Sequence, residues 1–133
     1  MTVAVAHQVS STSRIALREA AREAAMRETD LAVLHVVESL DLDIAAANRS
    51  GVSDEVERVL AEAGLDVSWE LHLATGEENV ASAILTLVDD VRAEVLVIGA
   101  RRRSPVGKFL LGSVTQTLIL DAEVPVIVVK PAL

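Results

Sequence analysis

Val95-Leu96-Val97-Ile98-Gly99 is an unbroken aliphatic run that stops at a glycine, and the chain continues Ala100-Arg101-Arg102-Arg103-Ser104-Pro105-Val106-Gly107-Lys108-Phe109-Leu110-Leu111-Gly112-Ser113. A strand that is apolar at every position is one buried on both faces, as in a parallel sheet covered by helices. The glycine ends it, a basic loop follows, and Gly112-Ser113 opens a new helix. That order is what a phosphate site needs. The N–H groups of a helix's first turn are unpaired and carry the positive end of the helix dipole, and glycine lets a ligand approach the main chain closely.

Elements of the same kind lie on either side of this stretch. Thr2 to His7 is a short apolar strand, and Gln8 to Ser13 is a polar turn rich in Ser and Thr. Ile15, Leu17, Ala20, Ala21, Ala24 and Ala25 give one apolar face to a helix from Thr12 to Glu28. Leu31 to Val37 is a second strand. Glu38 to Ser50 reads as an acidic loop with a short helical piece, and Ser53 caps a helix that runs to Ala63, with Gly64 as its stop. Val67, Trp69, Leu71 and Leu73 alternate with polar residues, the period of a strand with one wet face near a sheet edge. Thr75 and Glu78 form a capping-box pattern before a helix with Val80, Ile84, Leu87 and Val88 on one side. Val114, Leu118 and Ile119 face inward from the last helix, and Pro125 precedes a final strand, Val126 to Val129.

Strands that alternate with helices imply an α/β fold, a parallel sheet with helices on both faces. Ligands of such sheets sit at the carboxyl ends of the strands, where the strand order reverses. The ends of strands one and four, Gln8–Ser13 and Gly99–Ser113, are the two most polar connections in the chain.

Composition bounds the rest. A chain of 133 residues is expected to form one domain with a real core. Half of it is hydrophobic, yet it holds one Phe, one Trp and no Tyr, so the core is aliphatic. A net charge of −8 disfavours broad binding to nucleic acid or an anionic membrane, and makes Arg101 to Lys108 a local exception. No apolar run approaches the roughly 18 residues of a membrane span. The absence of cysteine excludes disulfides, thiolate metal sites and cysteine nucleophiles; with no secretory signal pattern at the N-terminus, it fits a cytoplasmic protein.

On these elements the chain resembles the universal stress protein family over essentially its whole length. The resemblance is carried by the opening strand and the turn into Ser13-Arg14-Ile15-Ala16-Leu17, by Leu34-His35-Val36-Val37-Glu38, by Gly76 before the third helix, and by the block from Val95 to Lys130 with Pro125-Val126-Ile127-Val128-Val129. The family's nucleotide-binding branch carries a loop of Gly, two residues, Gly, nine residues, Gly, then Ser or Thr. Here it falls on Gly99, position 102, Gly112 and Ser113, and three of these four match. Position 102 is Arg, whose guanidinium can grip phosphate itself. Gln8 stands where that branch has Asp.

The resemblance implies a Rossmann-like fold of the adenine nucleotide alpha hydrolase type, with a five-stranded parallel sheet in the order 3-2-1-4-5. It implies a regulatory, ATP-binding protein of the stress response, with Mg accompanying the nucleotide. The adenine is expected near Ala6, Gln8, Ser10 and Val36. The phosphates are expected over Gly99, Gly112, Ser113 and Val114, with Arg102 or Arg103 as counter-charge. A second copy is expected to cover the edge strand Val126–Val129. The alternative, which Gln8 and Arg102 favour, is a dimeric interaction module that binds no nucleotide.

Other polar residues have plainer readings. His7, His35 and His72 fall on three strands with no pair at metal-ligand spacing, as core or strand-end histidines do. Asp41 and Asp43 read as a solvated acidic loop. No Ser/His/Asp order, P-loop lysine or acid–base carboxylate pair stands in the chain, so catalysis is not expected.

Overall fold

The computed structural model of the protein describes residues 2–7, 11–37, 41–76, 79–103 and 109–130. The elements run β1 (Thr2–His7), α1 (Ser11–Met26), β2 (Asp30–Val37), α2 (Leu42–Ala63), β3 (Trp69–Thr75), α3 (Val80–Asp90), β4 (Ala93–Gly99), β5 (Arg101–Arg103), β6 (Phe109–Leu110), α4 (Ser113–Asp121) and β7 (Val126–Val129). The main sheet has five strands in the order β3-β2-β1-β4-β7, every pair parallel. This is the order 3-2-1-4-5 with the last main strand numbered seventh, because β5 and β6 form a separate antiparallel ribbon.

Strand alternation divides the core in two. Val3, Val5, Leu31, Val33, Val95 and Val97 face α1 and α2, where they meet Leu17, Ala20, Ala24, Val52 and Val56. Trp69, half-buried at the start of β3, packs against this layer. Ala4, Ala32, Leu34, Leu96 and Ile98 face the other way, onto Ile84, Leu87, Val88 and Leu118 of α3 and α4. Alanines on the sheet let those helices sit close, and each fully buried Leu, Ile or Val stabilises by about 1.5–3 kcal/mol.

Several expectations are corrected. The acidic segment is not a loop followed by a helix at Ser53; α2 is one helix of 22 residues. Its N-cap is Asp41, whose carboxylate accepts from the Asp43 N–H at 3.1 Å. Asp41 is therefore the start of a helix rather than part of a solvated acidic loop. Helix α2 stops where expected, at Gly64, in the left-handed conformation with φ 66°. The capping box is also overturned. Thr75 belongs to β3, and the cap of α3 is Asn79, whose side chain accepts from the Ser82 N–H at 3.0 Å; Glu78 lies outside the described residues. Helix α1 closes earlier than expected, at Met26. In α4, Leu118 is buried, whereas Ile119 is exposed.

Candidate functional site

The strand order reverses between β1 and β4, which pair with each other while their onward connections run to opposite sides. The carboxyl ends of these strands define the candidate site. At that end Gly99 closes β4, paired with Val129, and Ala100 donates its N–H to the Val129 carbonyl at 2.8 Å. Within the connection to α4, Arg101–Arg103 and Phe109–Leu110 are paired strands where a loop was expected from sequence. Arg101 pairs with Leu110 and Arg103 with Phe109, so the ribbon turns the chain back on itself and delivers Gly112 to the strand end it left.

Gly112, not Ser113, is the N-cap of α4, with φ −66°, ψ 164° and no side-chain hydrogen bond to the first turn. Ser113 is the first helical residue and is exposed. The first intrahelical bond runs from the Gln116 N–H to the Gly112 carbonyl at 3.0 Å. Among the described residues, the turn of Ser113 and Val114 thus presents N–H groups without a side-chain cap, a start that suits an anion.

Ala6 and Val36 lie half-buried at the ends of β1 and β2, on the sheet face that carries α3 and α4. Gly76 explains how the next turn fits over Val36. A Cβ at Gly76 would stand 2.6 Å from Val36 Cγ1 and 3.1 Å from the Val80 Cα. Only glycine lets the β3–α3 turn sit down on that valine. The structure therefore brings Ala6, Val36, Gly99, Gly112, Ser113 and Val114 to one end of the sheet. Gln8, Ser10 and Lys108 lie outside the described residues, and so do the side chains of Arg102 and Arg103, whose backbones form β5.

Sequence reading missed a buried polar cluster beside this end, on the opposite face. His7 and His35 are register partners on β1 and β2, both buried. Their Nδ1 atoms are 3.1 Å apart, and His35 Nδ1 also lies 3.2 Å from the His7 carbonyl oxygen. His35 Nε2 is 3.2 Å from Asn48 Oδ1, and Asn48 Nδ2 donates to the Ile44 carbonyl at 2.9 Å. His7 Nε2 is 3.4 Å from Glu55 Oε2. Burial pushes His7 below the ordinary histidine value; Glu55 pulls it back up, and His35 pushes it down again. The signal was one polar residue on the same apolar face of two adjacent strands, at the same height from each strand's start. His72 stands apart, on β3, 3.6 Å from exposed Glu70.

A groove of about 310 Å³ between α1 and α2 is lined by Arg14, Arg18, Arg22 and Glu62 among others, and includes none of the strand-end residues. Among the described residues, no helix is long and apolar enough to cross a membrane, and no group of three His, Cys, Asp or Glu is placed to hold a metal.

Known proteins with this arrangement can be compared directly. The sequence model of the Universal stress protein family matches residues 1–130. A universal stress protein from Mycolicibacterium smegmatis is 37% identical over 129 residues, covering 97% of both chains. A solved universal stress protein from Archaeoglobus fulgidus superposes with a TM-score of 0.80 at 31% identity, over 98% of each chain. A second solved structure from the same organism, a universal stress protein in complex with dAMP, has a TM-score of 0.74 at 30% identity, again over 98% of each chain.

Proposed function

This chain belongs to the universal stress protein family, and on that premise we propose that it binds an adenine nucleotide at the carboxyl ends of β1 and β4 and acts by binding rather than by catalysis. The observation that carries this reading is the start of α4. A helix with no side-chain cap opens at Gly112, beside the end of β4, at the one place where the strand order reverses. The phosphates lie over the amides of Ser113 and Val114, close to Gly99, with Arg102 or Arg103 as counter-charge. The adenine lies over Ala6 and Val36, beside Gln8 and Ser10. ATP with Mg is the proposed ligand. The dAMP complex of the Archaeoglobus relative supports an adenine nucleotide of some kind at this fold.

The protein works as a cytoplasmic homodimer in the stress response, its partner copy covering β7. Supporting the dimer, β7 is the outer strand of the sheet, and Leu120 of α4, the helix that precedes it in the chain, is 81% exposed. An uncovered apolar edge is a pairing liability.

Calorimetric titration of the wild-type protein and Gly112→Val with Mg-ATP and with AMP tests this reading. Saturable binding near micromolar, about −8 kcal/mol, is expected in the wild type and not in the variant, whose circular dichroism stays native. Arg102→Gly is expected to weaken binding. No saturation by millimolar ligand removes the nucleotide reading and leaves the dimeric interaction module. Leu120→Asp is expected to shift the sedimentation coefficient to that of a monomer.

A further inference from the structure

The cluster of His7, His35, Asn48 and Glu55 has a hydrogen inventory that does not close. Asn48 fixes its polarity, because its Nδ2 donates to the Ile44 carbonyl and its Oδ1 is therefore turned to His35. His35 must carry its proton on Nε2 to donate to that oxygen. A neutral His35 then offers a lone pair at Nδ1, and His7 must donate to it from its own Nδ1 across the 3.1 Å contact. Moving the His35 proton to Nδ1 lets His7 accept at Nδ1 and donate from Nε2 to Glu55, but it forfeits Asn48, so either neutral arrangement leaves one contact of the chain unmade. With Asn48 satisfied, a neutral His7 is left with a lone pair on Nε2, facing the Glu55 carboxylate at 3.4 Å. His7 Nε2 and Glu55 Oε1 are both buried and have no hydrogen-bond partner among the described residues. Two electron-rich groups are held together in a site that one more positive charge completes.

A metal does not suit the gap, since no group of three ligands converges among the described residues. A proton does. On His7 Nε2 it turns the contact into a charge-assisted bond while Nδ1 keeps its donation to His35. Burial opposes this by disfavouring the imidazolium, and the charges acting on His7 are those of Glu55 from α2 and His35 from β2. The site is therefore poised: locally it gains a bond by protonation, and desolvation withholds it.

His7 is the last residue of β1, one position before Gln8 and level with His35 at the end of β2. We propose that His7 is a proton-linked positioning residue of the ligand site, taking up a proton against Glu55 when an anionic nucleotide binds at the strand ends. The new charge appears at the strand ends that the nucleotide occupies, on the other face of the sheet, and the completed chain from α2 through His7 to His35 fixes those two strand ends. Linkage makes the effect reciprocal: the nucleotide favours the proton, and the proton favours the nucleotide. This inference rests on the adenine-nucleotide reading above.

The test is calorimetry with cyclic AMP, whose phosphodiester does not itself titrate near neutrality, in buffers of different ionisation enthalpy between about pH 5.5 and about pH 8, a range that brackets the ordinary histidine value. Net proton uptake is expected on binding in the acid half of the range, fading to none at its alkaline end. Affinity is expected to tighten about fivefold or more on acidification, the low end of an ordinary coupling between sites. Glu55→Gln, close in shape and able to donate to His7 Nε2 from its amide, is expected to bind with no proton uptake and a flat pH profile. Binding with no proton uptake in the wild type, or uptake unchanged in Glu55→Gln, overturns the proposal and leaves the nucleotide reading intact. A second measurement needs no ligand: imidazole NMR titration of both proteins. His7 is expected to titrate lower in Glu55→Gln than in the wild type, and equal midpoints overturn the pairing. Absence of binding by cyclic AMP and by Mg-ATP at every pH, with the His7 midpoint still dependent on Glu55, instead overturns the nucleotide reading and the linkage with it.

Discussion

Gly51 lies at the centre of α2, where the sequence pattern pointed to a break and the structure has unbroken helix. Gly51→Ala decides between them. Glycine in a helix interior is about 0.8–1.0 kcal/mol less favourable than alanine, chiefly through the freedom it loses on folding. The residue is exposed, and a Cβ built on it meets nothing within 4 Å, so no steric cost offsets the gain. The expected stabilisation is about 1 kcal/mol. Unfolding entropy runs at about 2.1 cal/mol/K per residue, so for a chain of 133 residues that gain raises Tm by about 3–4 °C. Thermal unfolding followed by circular dichroism at constant pH measures it. Gly64→Ala supplies the contrast. It too has open space around a Cβ, but its φ is 66°, where alanine is strained, and a loss of about 1 kcal/mol is expected. A Tm that is unchanged or lower in Gly51→Ala means that residues 42–52 do not form a helix, and refutes the continuous α2.

Three further outcomes are expected. Glu28 follows α1 at φ 54°, so Glu28→Gly relieves left-handed strain and should move the urea midpoint up by about 1 kcal/mol of stability; a lower midpoint contradicts the strain. Gly76→Ala drives a Cβ into Val36 and the Val80 backbone, at an overpacking cost of about 1–3 kcal/mol, and weakens nucleotide binding because Val36 must move; native stability and affinity together exclude the close approach. Because folding lowers the affinity of His7 for its proton, the unfolded chain binds that proton more readily, so ligand-free stability is full above the ordinary histidine value and falls as the pH drops below it. The slope from this one group is at most about 1.4 kcal/mol per pH unit, and urea unfolding at a series of pH values that gives a flat line below about pH 6.5 refutes the burial of His7.

Four of the five main strands were readable as short apolar runs bounded by turn residues, Val95–Ile98 as one covered on both faces, and the fifth, β3, was readable by its alternation of apolar and polar residues. The glycine stop at Gly64 was readable for the same local reason. The start of α2 was not. Asp41 and Asp43 look like a solvated loop until the cap bond between them is seen, and Ser53 read as a helix start although the helix is already running there. The cap at Asn79 went unread because Thr75 and Glu78 gave a capping pattern just before it, and Thr75 in fact ends β3. At the site, Gly99, Gly112 and Ser113 were legible as a spacing, whereas the ribbon of β5 and β6 that brings their ends together is a long-range pairing. The histidine cluster was illegible for a stricter reason. His7 and His35 are 28 residues apart, and only the parallel register of β1 and β2 makes them neighbours.

The lone Trp69 packs at the edge of the layer beneath α1 and α2, and the chain has no tyrosine to compete with it. Its emission therefore reports on one half of the molecule only. Far-ultraviolet dichroism, by contrast, averages helices from both halves. If the two signals melt together, the sheet transmits unfolding from one layer to the other as a single cooperative unit. If the fluorescence moves first, the α3–α4 layer survives alone, and the protein has a folded remnant that carries the end of α4 where the phosphates are proposed to sit.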